Sequence, residues 1–162
     1  MKKQDKNKIY IGIFIVFLMI SSTLGLIYGS DTKESYNGYS FTLTDGGWVV
    51  FVNNQYWDFN YLPDELEFDS DIGILNDKVY VVIDSDSYFR EISRKFALLG
   101  VLSERISLDE VDCSLLENTL IFNYGTEYDK IYKEDGCVYL EGYTTRLIDK
   151  LFYHVLGVDR SG

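Results

Sequence analysis

The chain has 162 residues, of which 46% are hydrophobic, 14 are Tyr and 10 are Phe. This length fits one domain with an accessory segment, and so many aromatic residues exclude an intrinsically disordered chain. The net charge is −11, and 25 of the 26 acidic residues follow residue 30. Such an acidic surface argues against nucleic acid as a partner, and it would attract cations or a basic partner. We favour the simpler interpretation that the charge only keeps the domain soluble.

The first element is an uncharged apolar run, Ile9–Gly29, that follows the lysine-rich residues 1–8. At about 1.5 Å per residue, its length matches a hydrocarbon core of roughly 30 Å. Lysines before the run and acids after it predict a cytoplasmic N-terminus. The sequence therefore predicts a basic cytoplasmic tail (1–8), one transmembrane anchor in the lipid bilayer of the cell membrane (9–29), and residues 31–162 outside.

A cleaved signal peptide is the alternative to an anchor. The step Thr23-Leu24-Gly25 has small residues in the spacing of a cleavage site. We favour the anchor, because the apolar run is longer than the usual core of a signal peptide and continues past this step. Both alternatives place the following domain outside the cytoplasm.

A polar linker (30–38) and a three-stranded β-meander (39–62) follow the apolar run. Short β-rich runs joined by tight turns predict the meander, with turn signals at Asp45-Gly46-Gly47 and Asn53-Asn54. The predicted strands are Tyr39–Thr44, Trp48–Val52 and Gln55–Phe59. We expect a buried face made by Val50, Val52, Tyr56, Trp48 and Trp57.

The remaining residues, 63–158, predict an α/β domain, with a short tail (159–162) after it. Apolar spacing predicts helices at about Tyr88–Leu102 and Thr144–Leu156, the second ending at Gly157. The predicted strands are Lys78–Asp84, Asn118–Tyr124, Tyr128–Lys133 and Cys137–Glu141. The fold class is therefore α/β (α+β): a transmembrane helix and a meander, then a β-α-β-β-β-α mixed sheet covered by two helices.

The pair Asp84 and Asp86 forms a D-x-D at the C-terminal end of the clearest buried strand. Ligand sites of open α/β sheets occur at such strand ends, and paired carboxylates can hold a divalent ion. Asp and Ser are also the favoured residues for starting a helix, and Ser85 and Ser87 lie beside this pair. We favour helix capping and keep Asp84 and Asp86 as weak candidates for metal ligands.

Other catalytic signatures are missing from the sequence. The one histidine, His154, has no second histidine with which to build a typical zinc site, and no G-x-S-x-G, P-loop or G-x-G-x-x-G motif occurs. We therefore expect no catalytic residues and no cofactor, and enzymatic activity is poorly supported.

The two cysteines, Cys113 and Cys137, are 24 positions apart and have no C-x-x-C spacing. Metal-binding and redox cysteines usually occur in close pairs, whereas separated cysteines outside the cytoplasm predict a structural disulfide. A closed loop of about 25 residues would stabilise the fold by roughly 3 kcal/mol in the chain-entropy model.

Several short motifs are spread over residues 37–158. They are Phe59-Asn60-Tyr61-Leu62-Pro63, the strand VYVVID, Asp112-Cys113, Asn118-Thr119, Gly136-Cys137-Val138, Gly142, Asp149-Lys150-Leu151-Phe152-Tyr153 and Leu156-Gly157-Val158. Together they resemble a group of small, uncharacterised archaeal membrane-anchored proteins with an extracytoplasmic α/β domain. This chain has Ser85 where the group tends to have Pro, and Lys150 where it often has Arg. The resemblance implies the anchor, the α/β domain and the paired cysteines, and it implies no activity.

Three functions are compatible with these features. The first is a structural or accessory role in a cell-envelope assembly, with a protein partner there. The second is a binding module with a thioredoxin-like core that lacks the redox cysteines and has its site near Asp84–Tyr88. The third is a divalent-metal-dependent enzyme that uses Asp84 and Asp86.

Overall fold

The computed structural model describes residues 14–16, 32–68, 70, 72, 77–116 and 118–159. The chain forms two compact units, Met1–Thr32 and Lys33–Gly162. Residues 14–16 of the first unit are helical. Within the described residues, no helix is both long and apolar enough to cross a bilayer. The predicted tail, 1–8, and nearly all of the predicted anchor, 9–29, lie outside the described residues.

The second unit is a mixed α/β structure with two sheets, and its first sheet is an antiparallel meander of four strands rather than three. The additional strand lies in the part predicted to be a linker. It pairs with the next strand through the turn at Asn37-Gly38, where both residues have positive φ, as two-residue hairpin turns require. The strands are β1 (Lys33–Tyr36), β2 (Tyr39–Thr44), β3 (Gly47–Val52) and β4 (Gln55–Phe59).

The meander buries one face, and Tyr56 is not on it. Its side chain is 68% exposed, whereas the neighbouring Trp57 is 1% exposed. Successive residues of a strand point to opposite faces, so Tyr56 and Trp57 cannot both belong to the buried face. Tyr56 instead pairs with Phe51 on the outer face, with ring centroids 4.8 Å apart.

The second sheet has five strands in the order β6-β5-β7-β9-β8. All neighbours are parallel except β8, which runs antiparallel to β9. Two helices accompany it, α1 (Asp86–Leu98) after β5 and α2 (Thr144–Leu156) after β9, and Gly157 ends α2 in the left-handed conformation as predicted. The strands are β5 (Lys78–Val82), β6 (Leu102–Arg105), β7 (Thr119–Tyr124), β8 (Lys130–Glu134) and β9 (Cys137–Gly142).

Strand β6 corrects the predicted end of the first helix. The prediction extended that helix to Leu102, but α1 ends at Leu98 and Leu102 begins β6. Gly100, at φ +76°, turns the chain out of the helix, and β6 then pairs in parallel with β5. The unit after the meander is therefore β-α-β-β-β-β-α rather than β-α-β-β-β-α.

One continuous core joins both sheets and both helices. Trp57 of the meander stacks on Phe152 of α2 at 6.3 Å, and α2 is buried over most of its circumference, as a helix between two sheets must be. The opposite face of the five-stranded sheet is different. Among the described residues no helix covers it, and only the segment 106–116 packs against its apolar residues.

Candidate functional site

The open face of the five-stranded sheet presents two rows of side chains across three parallel strands. The register aligns Val82 with Ile121 and Ile121 with Tyr139, so these side chains form an apolar row. Two residues further along β7 and β9, the same face carries Asn123 and Glu141. Asp84, which follows the end of β5, lies beside them and completes a polar row. The polar row lies at the carboxyl ends of the strands, where ligands of open α/β sheets bind.

These rows form the base of a groove of about 720 Å³. One wall is the segment Ile106–Leu108, and Tyr132 on β8 borders the other side. Small-molecule sites in proteins commonly have roughly 300–1,000 Å³ and an apolar lining with a few polar groups. The size and lining of this groove therefore suit a small ligand.

The Tyr132 side of the groove combines two aromatic rings and a carboxylate. The rings of Tyr132 and Tyr139 stack with centroids 5.3 Å apart, and the Tyr132 hydroxyl donates to Glu141 Oε1 at 3.1 Å. Desolvation, and next the bond to Glu141, raise the pKa of Tyr132 above its ordinary value. The phenol therefore keeps its proton at neutral pH and holds the Glu141 carboxylate in place.

Arg105 occupies the other end of the groove, and three of its N–H groups have partners within the protein. Its Nε donates to the carbonyl oxygen of Ile83 at 2.9 Å, and its Nη2 donates to that of Asp84 at 2.7 Å. Its Nη1 forms an ion pair with the carboxylate of Asp86. This guanidinium closes the end of β5, and its positive charge is compensated by Asp86 within the protein.

The two predicted metal candidates therefore have different environments. Asp86 pairs with Arg105, which opposes a cation at the same carboxylate. The exposed Asp84 carboxylate lines the groove and makes no hydrogen bond or ion pair with a described residue. No group of three or more His, Cys, Asp and Glu side chains able to hold a metal ion occurs within the part of the chain that the structure describes.

The segment Asp84–Ser87 begins the helix as predicted, but it does so without a capping hydrogen bond from the N-cap side chain. Ser85 is the N-cap residue of α1, but its side chain makes no capping hydrogen bond. Its hydroxyl instead lies 2.9 Å from that of Ser87. Asp86 lies in the first turn, where a carboxylate complements the helix dipole.

The wall of the groove is tethered by the predicted disulfide. Cys113 and Cys137 are bonded, with Cα atoms 5.2 Å apart, and Cys137 is fully buried beneath the segment 106–116. The preceding residue, Gly136, has φ +97°, and a Cβ on it would lie 2.4 Å from the carbonyl oxygen of Cys113. Only glycine allows this close approach. The disulfide thus joins the segment that forms the wall to the start of β9.

A second notable cluster lies on the opposite side of the sheet, where the meander meets the helices. Asp149 on α2 is 0% exposed and accepts from the backbone N–H groups of Asn60 (2.7 Å) and Tyr61 (3.1 Å). Tyr153, one turn later, donates to the carbonyl oxygen of Tyr61 at 2.7 Å and stacks on Phe59 at 4.0 Å. The segments Phe59–Pro63 and Asp149–Tyr153 therefore contact each other.

Lys95 on α1 completes this junction. Its ammonium is 1% exposed and lies 3.6 Å from Asp149 Oδ1, and it donates to the carbonyl oxygen of Asp58 at 2.6 Å. It also lies 4.3 Å from the ring centroid of Phe59. Burial raises the pKa of Asp149 to about 6, although Lys95 and the two backbone N–H groups act in the opposite direction. The close partners of Lys95 and Asp149 all belong to this domain, so we interpret the junction as stabilising the fold.

Sequence reasoning identified Asp84 and missed the rest of the groove. Asn123, Glu141 and Tyr132 lie on three strands that look unremarkable separately. The feature of the sequence that could have identified these residues is their position at or near the carboxyl ends of strands in one sheet. Recognising the site from this feature requires knowing that β7 and β9 are parallel neighbours, which local patterns do not reveal.

The chain was compared with protein-family models, with curated proteins and with solved structures, and none of them matches it. The function must therefore be argued from the site itself.

Proposed function

We propose that this chain is a single-pass, N-in membrane protein whose outer domain is a binding module, with the groove on the five-stranded sheet as its ligand site. The observation that carries this proposal is the groove itself. It has about 720 Å³, an apolar row along its base and a polar row at the strand ends. The anchor and the location outside the cytoplasm rest on the apolar run 9–29 and its flanking charges.

The side chains of the groove favour binding over catalysis. Asp84 lines it, which the second sequence hypothesis required. No neighbouring described residue supplies Asp84 with the partner that a general acid, a nucleophile or a metal site would need. The thioredoxin-like core of that hypothesis stays a prediction, as does the resemblance to archaeal anchored proteins.

The test is fragment screening by NMR on the full chain in a lipid nanodisc. We expect hits to shift the resonances of Val82, Ile121 and Tyr139 and to leave those of the meander unchanged. The variant Asn123→Trp, which fills the centre of the polar row, should abolish these shifts. The matched variant Ser40→Trp, on an exposed position of β2, should leave them intact. A screen in which no fragment shifts groove resonances would contradict the proposal.

A second candidate function is the accessory role in a cell-envelope assembly. The observation that favours it is the exposed aromatic pair on the outer face of the meander, where Phe51 is 52% and Tyr56 is 68% exposed. Exposed aromatic residues are enriched where proteins bind each other. Affinity capture of the full chain from detergent extracts should recover a partner that the double variant Phe51→Ser, Tyr56→Ser loses. Equal recovery by both proteins would remove this candidate.

A further inference from the structure

We propose that the groove binds a small organic dication, in which two ammonium groups are joined by an apolar chain. This inference rests on the proposed function and adds the chemical class of the ligand. It is carried by the charges of the groove, by the separation of its two carboxylates and by the apolar and aromatic surface between them.

The charges that face the groove are negative. Asp84 and Glu141 are the two acids of its lining, and Arg105 is the one cation. Three N–H groups of Arg105 are directed at two backbone carbonyls and at Asp86, which lies outside the lining. Lys130, the cross-strand partner of Glu141, is directed at the ring of Tyr132. The lining thus presents two carboxylates against one cation that Asp86 neutralises, and this excess favours a cation and disfavours a carboxylate or phosphate. The acidic remainder of the domain adds a field of the same sign.

The separation of the carboxylates favours two cationic groups over one. Asp84 follows β5 and Glu141 lies on β9, with β7 between them. Two strand spacings correspond to roughly 10 Å. The bond to Tyr132 draws Glu141 toward β8 and so away from Asp84. Backbones that far apart favour a ligand with two ammonium groups, one at each carboxylate, over a single ammonium that bridges them.

The surface between the carboxylates suits the middle of such a ligand. Val82 and Ile121 provide apolar area directly beside the polar row, and the amide of Asn123 lies between the two acids. The rings of Tyr132 and Tyr139 continue this surface. Lys130 Nζ lies 4.1 Å from the centroid of the Tyr132 ring, and Tyr139 stacks on that ring, so these aromatic residues offer a ligand apolar area rather than a free cation–π position. The methylene groups of a diamine find complementary surface there, and its ammonium groups are left to the two carboxylates.

The experiment is calorimetric titration of the full chain in nanodiscs of phosphatidylcholine, a lipid without net charge. The probes are linear diamines from 1,4-diaminobutane to 1,10-diaminodecane, with the diol and the dicarboxylate of each length as matched controls. We expect diamine affinity to pass through a maximum as the chain lengthens. We expect the diol of the best length to bind at least about tenfold more weakly, and the dicarboxylate not to bind.

The variants Asp84→Asn and Glu141→Gln should each lower the affinity for the best diamine about tenfold and remove the dependence on chain length. The control Asp45→Asn makes the same charge change at an exposed turn of the meander and should change affinity less than twofold. Equal losses in Asp84→Asn and Asp45→Asn would overturn the inference, because the binding would then reflect only net charge.

Two further outcomes separate this inference from the proposed function. If a diol or dicarboxylate binds better than the diamine, and Asn123→Trp abolishes that binding, the dication is wrong and the binding groove stands. The same holds if fragments shift the groove resonances while no diamine binds. If neither fragments nor diamines perturb the groove, both proposals fall.

Discussion

Two regions of this domain combine carboxylates with aromatic rings, and they use them in opposite ways. At the junction of meander and helices, Asp149 is enclosed and bonded to two backbone N–H groups beside Lys95. In the groove, Asp84 is exposed and has no partner among the described residues, and Glu141 has only Tyr132. Hydrogen bonds to Oδ2 of Asp149, and Lys95 at 3.6 Å from Oδ1, offset part of the cost of burying this carboxylate. A carboxylate without a partner at the end of a strand, such as that of Asp84, is available to a ligand. The buried carboxylate therefore serves the fold, and the exposed one can serve binding.

The largest effect should come from Asp149→Ala. The substitution leaves the N–H groups of Asn60 and Tyr61 without an acceptor, and it leaves the buried Lys95 with only Glu91, 3.9 Å away, as a counter-ion. We expect a loss of about 3–5 kcal/mol in the free energy of unfolding, measured with guanidinium chloride. The exposed control Asp45→Ala should change it by less than about 0.5 kcal/mol. Similar values for the two variants would mean that the junction does not stabilise the fold.

Reduction of the disulfide should have the next largest effect. Opening the bond between Cys113 and Cys137 should lower stability by roughly 3 kcal/mol, since it frees a loop of about 25 residues in the unfolded chain. Thermal unfolding with and without reductant measures the change. The variant Cys113→Ser, Cys137→Ala should be as unstable as the reduced protein and insensitive to reductant. Mass spectrometry that finds both thiols free in the native protein would contradict the bond and weaken the case for an outer location.

The pH dependence of stability tests the junction in a different way. The pKa of Asp149 in the folded state, about 6, lies above its ordinary value of 3.8, so protonation favours the folded state. This contribution is fully present below about pH 4 and is lost as the pH rises through 6. Relative to Asp149→Asn, the wild type should therefore gain up to about 3 kcal/mol between pH 7 and pH 4. A constant difference between the two proteins across this range would show that Asp149 does not titrate this way.

The smallest effect on the free energy of unfolding should come from Asp84→Asn. A small effect would separate this carboxylate from the buried carboxylate of Asp149. Because the Asp84 side chain has no partner in the described chain, the variant should unfold within about 0.5 kcal/mol of the wild type. By contrast, Asp149→Ala should destabilise the domain substantially, because it removes the acceptor of two backbone N–H groups. Urea denaturation of both variants measures the difference. A large loss in Asp84→Asn would mean that this carboxylate serves the fold.

Sequence reasoning succeeded where local patterns decide structure. The stripe of α2 and the terminal Gly157 predicted that helix at its observed bounds, and the alternation and turns of the meander predicted three of its strands. Sequence reasoning failed where pairing with another strand decides the structure of a segment. The polar segment Lys33–Tyr36 becomes a strand only because Asn37-Gly38 folds it onto β2. The short segment Leu102–Arg105 becomes a strand only because it can pair with the free edge of β5.

The groove could not be predicted from local patterns for a related reason. Its residues come from all five strands of the sheet, and it exists because both helices lie on the same face of that sheet. Helix periodicity shows which side of a helix is buried, but it does not show which face of a sheet that helix will cover. The apolar row of Val82, Ile121 and Tyr139 reads as ordinary core until that choice is known.

The disulfide has a mechanical consequence for a chain that is pulled by its ends. Cys113 and Cys137 are 24 positions apart, and the chain between them contains β7 and β8. When force is applied to the ends of the chain, this covalent loop cannot extend while the bond is intact. Reduction would add about 80 Å to the fully stretched length, at roughly 3.5 Å per residue. The central strand β7 is therefore shielded from extension.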